Sequence, residues 1–293
     1  MIIDMHYHLD ERMEPIQRLV DQMDQHGIDK IVLIAAMVDP FHVEGTAENI
    51  SNLMRKMLTG SLNRVGLLIY ESLVTGDGKF KVLNKSYKID PYPDNGLVAK
   101  AIADYPGRFY GWFFINPLGG DTFEDIESND SADQWLGIKC HPFWHRYPIS
   151  KLDTAAAYCV EKCKPMLVHL GGGKENGDYC YLPEKYPDLK LIYAHAGLPH
   201  YRKIWPYIKE KKNVYVDLSS PYLDEPLRRE AVQALGADKC LYGSDGPFGY
   251  PVEDNMYDHG AILDEINRMP LSAAEKEKNI EWKFCRYNGV LNI

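Results

Sequence analysis

Short apolar runs alternate with amphipathic stretches along most of the chain. The run IIDMHYH (2–8) is followed by apolar residues at helical spacing that end at Gly27. The next run, KIVLIAA (30–36), is apolar without a break, which is typical of a parallel strand that is buried on both faces. This alternation predicts parallel βα units.

The same alternation continues through the second half of the sequence. Six more strands are predicted, at 109–116, 136–141, 166–170, 190–196, 214–220 and 240–245. Helices are predicted near 96–105, 152–163, 225–235, 257–268 and 272–285. Eight strands with crossover helices in roughly 250 to 300 residues are what a closed (β/α)8 barrel, or TIM barrel, needs. An open doubly wound sheet is the alternative, but no glycine-rich phosphate turn opens any of these helices. We predict one α/β barrel domain over 1–293.

The alternation breaks in residues 37–93. This segment contains a predicted helix near 47–60, the apolar run VGLLIY, and a polar stretch rich in turn residues. A segment of this length without its own βα unit is usually functional or flexible. We interpret it as an insertion after the second strand, and predict that it forms a mobile lid over the barrel mouth.

Charge and composition favour a small-molecule substrate. The chain carries 33 basic and 42 acidic residues, and its net charge of −9 gives no general attraction to nucleic acid or to an anionic membrane surface. Its 45% apolar content is sufficient for a continuous core. The first residues lack the features of a secretory signal, and no apolar run reaches the roughly 20 residues of a membrane span. We therefore expect a cytoplasmic protein, and a homo-oligomer is compatible with the sequence.

The cysteines form no CxxC pair and no dense framework, which predicts reduced thiols that pack as small hydrophobic side chains. A redox or metal pair of Cys159 and Cys163, four residues apart, is the alternative. The six cysteines are Cys140, Cys159, Cys163, Cys180, Cys240 and Cys285.

Candidate ligands for a metal ion lie near the carboxyl ends of the predicted strands. His6 and His8 share one face of the first strand, because side chains alternate along a strand. His169, His195 and Asp245 each lie shortly before a glycine at the end of strands five, six and eight. Each alone is consistent with a core histidine or a helix-capping aspartate. Together they predict a site at the barrel mouth for one divalent ion, Zn²⁺ in the first place, with Mn²⁺ or Fe²⁺ as alternatives.

An ordered set of short motifs resembles a known family. The motifs are IDMHYH, YPGRFYGWFFINP, GIKCHP, LVHLGG, YAHAG and YGSDGP. In this order and spacing the chain is similar to the amidohydrolase superfamily, in particular to the amidohydrolase-related branch that contains aminocarboxymuconate semialdehyde decarboxylase, resorcylate-type decarboxylases and several lactonases.

The resemblance implies roles for five residues. His6, His8 and His169 match the family's metal ligands, and His195 matches its catalytic histidine. Asp245 matches the acid that touches both metal and reaction centre. Some lactonase relatives keep these histidines and bind no metal, so the resemblance alone leaves occupancy open.

The residues of the fourth strand indicate how many metal ions to expect. Some family members carry there a carboxylated lysine that bridges two metals, and this chain has Lys139 with His141 two residues later. Its G-I-K-x-H-P form resembles the branch with one metal, and we predict a mononuclear site. Lys139 is then a free amine near the substrate or a structural ion pair, and His141 lines the mouth.

The resemblance implies hydrolysis through a metal-activated water, with Asp245 as the proton carrier and His195 as the polarising group. Non-oxidative decarboxylation of an aromatic or unsaturated acid at the same site is the alternative, and a catalytically silent binding barrel is a minor one. Arg146 and Trp144 after strand four, and Tyr181 after strand five, are further candidates for substrate contact. Arginine beside aromatic residues suits a carboxylated, flat or sugar-acid-like substrate.

Overall fold

The computed structural model of the protein describes residues 1–41, 46–119, 135–248 and 257–280. Its main sheet has eight parallel strands in the order β1-β2-β5-β6-β7-β8-β9-β10. These strands are β1 Ile3–Leu9, β2 Lys30–Ala35, β5 Phe109–Ile115, β6 Trp135–Cys140, β7 Met166–Val168, β8 Leu191–Tyr193, β9 Val214–Asp217 and β10 Cys240–Leu241. Each of the eight predicted strands is therefore present.

The sheet closes on itself where the chain that follows β10 runs beside β1. The backbone N–H of Asp245 donates to the carbonyl of His6 at 2.6 Å, and the N–H of His8 donates to the carbonyl of Gly246 at 2.7 Å. These bonds join the first and last strands of the sheet and confirm the predicted (β/α)8 barrel.

Helices follow most strands and cover the outside of the sheet. In α1 the residues Leu19, Val20 and Met23 are buried, and the helix ends at Gly27, whose φ of 67° is left-handed as the sequence predicts. The helices outside the insertion are α1 Ile16–His26, α4 Asn95–Asp104, α5 Pro142–His145, α6 Asp153–Glu161, α7 Tyr181–Lys185, α8 Trp205–Glu210, α9 Glu225–Leu235, α10 Ala261–Arg268 and α11 Ala273–Ile280. Short 3-10 turns lie at Ile149–Leu152, His195–Gly197, Tyr201–Lys203 and Ala237–Lys239.

The insertion after β2 contains two helices and a hairpin. The helices are α2 Thr46–Thr59 and α3 Asn63–Ser72, and the antiparallel strands are β3 Lys79–Val82 and β4 Lys85–Lys88. The apolar run VGLLIY lies within α3. Val38 pairs with Ile89 at the base of the insertion, so the chain leaves and re-enters the barrel at neighbouring points.

Several strands end earlier than their sequence patterns predict. The pattern predicts a strand over 190–196, whereas β8 is Leu191–Tyr193, and β10 ends at Leu241. His195, with φ of 55°, and Asp245, with φ of 60°, adopt left-handed backbone that a strand cannot contain. The regular strand geometry thus ends before the residues expected to carry the chemistry.

The described cysteines are all free thiols. The alternative pair of Cys159 and Cys163, suggested by their spacing, does not form, because α6 ends at Glu161 and Cys163 lies beyond it with φ of 56°. Cys159 is buried, whereas Cys163 is exposed. Cys285 lies outside the described residues. Among the helices described, none is long and apolar enough to cross a membrane.

Candidate metal centre and active site

Two histidines of β1 and one aspartate converge at the carboxyl end of the barrel. The Nε2 atoms of His6 and His8 are 3.3 Å apart. Oδ1 of Asp245 lies 3.4 Å from Nε2 of His6 and 3.5 Å from Nε2 of His8. All three side chains are buried. The sequence-predicted H-x-H pair therefore meets the strand-eight aspartate at one point.

His195 faces the other oxygen of the same carboxylate, with its Nε2 atom 3.9 Å from Oδ2 of Asp245. His6, His195 and Asp245 each offer one donor atom, and these atoms all lie within 4.8 Å of one another. The resemblance implied that His195 acts on the substrate, whereas the geometry also makes it a potential ligand. The structure thus brings together four of the five residues at the strand ends: His6, His8, His195 and Asp245.

A network behind the histidines fixes which of their nitrogens carry protons. Nδ1 of His6 lies 2.9 Å from Oδ2 of Asp217, and an ionised carboxylate can only accept, so Nδ1 is the donor. Ser219 donates its proton to Oδ1 of Asp217 at 2.5 Å, so its oxygen accepts from Nδ1 of His195 at 2.8 Å. Both Nε2 atoms therefore present lone pairs to the centre, as metal ligands must.

The protonation states agree with this arrangement. Burial and, to a smaller extent, nearby Lys139 lower the pKa of His6 to about 3, so His6 is neutral at neutral pH. Burial alone would raise the pKa of Asp245, but His195 and the bond to His8 outweigh it and lower the value to about 2. Burial opposes ionisation of Asp217 in the same way, and His6 holds the pKa of that carboxyl well below its usual range. Neutral imidazoles beside an ionised carboxylate fit a divalent cation.

Lys139 reaches the centre from within the barrel. Its Nζ atom lies 3.5 Å from Nε2 of His6, and the side chain is fully buried. Burial lowers the pKa of Lys139 to about 8. The amine thus lies beside the donor cluster but is not among the residues that line the cavity described below, and its contact with substrate stays a prediction.

His169 lies next to the cluster, and one of its nitrogens is bonded to a residue of the insertion. Its ring centroid is 4.7 Å from that of His195 and 4.1 Å from that of His141, on which it stacks. Its Nε2 atom is 2.8 Å from the hydroxyl of Tyr70 in α3. The predicted ligand is therefore adjacent to the cluster, and its Nε2 atom is bonded to the insertion.

A cavity of about 830 Å³ opens above the centre, and both the barrel and the insertion line it. This volume is typical of small-molecule sites. From the barrel side it is lined by His8, His141, Phe143, Trp144, His169, His195, Leu198, Tyr201, Tyr222, Asp245 and Phe248. From the insertion it is lined by Pro40, Phe41, Ile50, Ser51, Met54, Arg55, Leu58, Tyr70, Leu73, Phe80, Val82, Leu83, Asn84, Lys85 and Tyr87.

Two of the predicted substrate contacts lie away from this cavity. Arg146 is exposed, and its guanidinium donates to the carbonyl of Val74 at 2.6 Å. The hydroxyl of Tyr181 donates to Asp153 at 3.0 Å on the outside of the barrel. His141 and Trp144 line the cavity as predicted.

Three residues that take part in the site were not predicted from the sequence. Asp217 and Ser219 belong to DLSS at the end of the seventh strand, and a carboxylate at a strand end is the same signal that identified Asp245. No local pattern identifies Tyr70, since it reaches the site through the placement of a whole helix.

Comparisons with known proteins point in the same direction. A family model described as Amidohydrolase matches residues 3–280. No curated protein sequence matches the chain. The fold is similar to that of 4-oxalomesaconate hydratase from Rhodopseudomonas palustris, with a TM-score of 0.60 and 15% identity over 98% of this chain and 95% of that one.

Two further solved structures are similar. One is 5-carboxyvanillate decarboxylase from Novosphingobium aromaticivorans, complexed with manganese and a nitrobenzoic acid, with a TM-score of 0.57 and 17% identity over 92% of this chain and 79% of that one. The other, assigned as a 2-pyrone-4,6-dicarboxylic acid hydrolase from Pseudomonas putida, has a TM-score of 0.56 and 15% identity over 99% of this chain and 97% of that one. At these identities the likeness shows the fold.

Proposed function

The chain belongs to the amidohydrolase family, and we propose that it is a metal-dependent hydrolase of a small carboxylated, cyclic or sugar-acid-like substrate. The observation that carries this proposal is the convergence of the Nε2 atoms of His6 and His8 on one oxygen of Asp245, at 3.4 and 3.5 Å. Two fixed imidazole acceptors and one carboxylate are a typical ligand set for a catalytic metal with an open position.

We propose one metal ion, with His6, His8, His169 and Asp245 as ligands and with His195 beside it. Zn²⁺ suits this nitrogen-rich set, and Mn²⁺ is the alternative, since the similar 5-carboxyvanillate decarboxylase structure contains manganese. When bound, such an ion polarises a substrate oxygen and lowers the pKa of a coordinated water.

We assign the proton transfer and the contact with the reacting carbonyl to two residues of the protein. Asp245 is ionised and has one oxygen toward the β1 histidines and the other toward His195, so it accepts a proton from water and returns it to the leaving group. His195, whose Nδ1 proton is bonded to Ser219, would have to take up a second proton, at Nε2, before it could polarise the reacting carbonyl.

Decarboxylation of an aromatic acid is the second candidate, and the cavity walls favour it. Phe143 stacks on Tyr70 with centroids 4.1 Å apart, and Phe41 stacks on Phe248 at 5.0 Å. Flat apolar walls of this kind suit a planar ring. In that reaction Asp245 or His195 would first take up a proton from water or substrate and would then deliver it to the ring carbon as carbon dioxide leaves.

Metal analysis followed by a substrate panel tests these proposals. We expect close to one transition metal per chain in protein purified without added metal. Lactones and amides should be turned over in the hydrolase case, and aromatic carboxylates should release carbon dioxide in the decarboxylase case. Protein that binds neither zinc nor manganese at saturating concentration would exclude both mechanisms.

A further inference from the structure

The insertion places one buried hydroxyl against the metal centre. Tyr70 is only 6% exposed, and its hydroxyl lies 2.8 Å from Nε2 of His169. Its ring stacks on Phe143, so the phenol is held from the side as well. Burial raises the pKa of Tyr70 well above 10, so the hydroxyl keeps its proton and donates to His169.

Helix α3 is fastened to the loop after β7 by the residue that follows Tyr70. The carboxylate of Glu71 accepts from the backbone N–H of Gly172 at 2.8 Å and from the side-chain amide of Asn176 at 2.7 Å. The approach is so close that a Cβ at Gly172 would lie 2.9 Å from the carbonyl oxygen of Leu67. These contacts set the position of Tyr70 over His169.

His169 is well placed to join the donor cluster except for this bond. It lines the same cavity, and its ring contacts that of His195 edge-on. A neutral imidazole nitrogen has one lone pair, so Nε2 cannot accept a hydrogen bond from Tyr70 and bind a cation at once. We propose that the Tyr70 hydroxyl and the divalent metal compete for Nε2 of His169, and that Tyr70, once displaced, donates its hydrogen bond to the substrate.

The displaced hydroxyl would face the cavity, because Tyr70 lines the same cavity as His141 and His195. A substrate carboxylate or carbonyl oxygen bound there would be its acceptor. A buried neutral phenol is a good donor to such an oxygen and leaves no unpaired charge when the site is empty. Metal loading would thus turn Tyr70 from a partner of His169 into a substrate-binding residue. This inference rests on the proposed metal-dependent function.

Replacing Tyr70 by phenylalanine separates the two roles. We expect the Tyr70→Phe variant to bind Zn²⁺ about three- to tenfold more tightly than the wild type, the equivalent of one neutral hydrogen bond removed from the metal-free state. Affinity is measured on metal-free protein by competition with a chromophoric chelator. The same variant should lose about tenfold or more in kcat/KM once a substrate is known, so metal affinity and catalysis change in opposite directions.

Tyr87→Phe is the matched control for metal affinity, since Tyr87 is also in the insertion and also lines the cavity but packs on Phe41 and Phe80. Its Zn²⁺ affinity should equal that of the wild type. Glu71→Ala should tighten Zn²⁺ binding in the same direction as Tyr70→Phe, because it releases α3 from the loop.

The outcomes distinguish this inference from the proposed function. Unchanged or weaker Zn²⁺ binding by folded Tyr70→Phe protein, as judged by circular dichroism, would overturn the competition and leave the metal site standing. Failure of the wild-type protein to bind Zn²⁺ would overturn the proposed function itself. Equal tightening in Tyr87→Phe would show a general loosening of the insertion and would also overturn the inference.

Discussion

The floor and the roof of the cavity are built in different ways. The floor consists of strand ends, where His6, Asp217 and Asp245 are held by hydrogen bonds and are at most 5% exposed. The roof is the insertion, which contributes mostly apolar side chains to the cavity and turns others, such as Leu68 at 74% exposure, to the outside. The candidate catalytic groups therefore belong to the barrel, whereas the insertion adds shape and one hydroxyl.

The largest effect should come from the carboxylate at the centre of the floor. Asp245→Asn removes the negative charge between three histidines and leaves no group to carry the proton. We expect a loss of turnover on the order of 10⁴-fold together with weakened metal binding. Metal content by plasma emission and turnover are measured on the same samples. Turnover within tenfold of wild type would mean that the floor does not contain the proton carrier.

The second-largest effect is expected at Arg228, which contacts the floor from outside the barrel. Arg228 is fully buried in α9 and donates to the carbonyls of Leu218 and Ser220, while Glu265 is its charge partner. Arg228→Ala leaves these groups unpaired, and we expect it to lower the free energy of unfolding by about 3–5 kcal/mol. Urea denaturation followed by circular dichroism measures this change.

Arg228→Lys is the control, since it keeps the charge but loses the planar fork. It should be intermediate in stability between the wild type and Arg228→Ala. If Arg228→Ala proves as stable as the wild type, the loop after β9 that carries Ser219 does not depend on this anchor.

The third-largest effect is expected in the hydrogen-bond network behind the histidines, which we expect to influence metal affinity as the ligands do. Asp217→Asn can place an amide rather than an acceptor against Nδ1 of His6, which would disturb the tautomer that presents Nε2 to the centre. We expect metal affinity to fall about 10- to 100-fold. In Ser219→Ala, which removes the partner of His195 but leaves Asp217, metal affinity should fall less. The reverse order would show that His195 is the more important ligand.

The floor could be predicted from the sequence because strand periodicity and strand order place its residues. His6 and His8 alternate on one strand, and parallel strands bring their carboxyl ends to one edge. The positions where β8 and β10 end were not predicted, since neither His195 nor Asp245 is a glycine whose presence would indicate left-handed backbone.

From the sequence, the roof could be predicted only as an interruption of the alternating strands and helices. Its helices and hairpin are local structures, but their position over the cavity depends on distant contacts such as Glu71 with the loop after β7. The mobility expected of a lid remains a proposal. Arg146 and Tyr181 show the same limitation, because being next to a strand end in sequence did not place them on the cavity.

The smallest effect should come from the outer surface of the roof. Leu68 is on α3 and is 74% exposed, whereas Leu58 on α2 is 3% exposed and lines the cavity. Because truncating an exposed leucine removes little buried apolar surface, Leu68→Ala should change the free energy of unfolding by less than about 0.5 kcal/mol. Leu58→Ala should cost about 2–5 kcal/mol, because it leaves a cavity. Urea denaturation of both variants measures the contrast. If Leu68→Ala were as destabilising as Leu58→Ala, the outer face of α3 would be covered by another surface, and light scattering would then show a smaller molar mass for the variant than for the wild type.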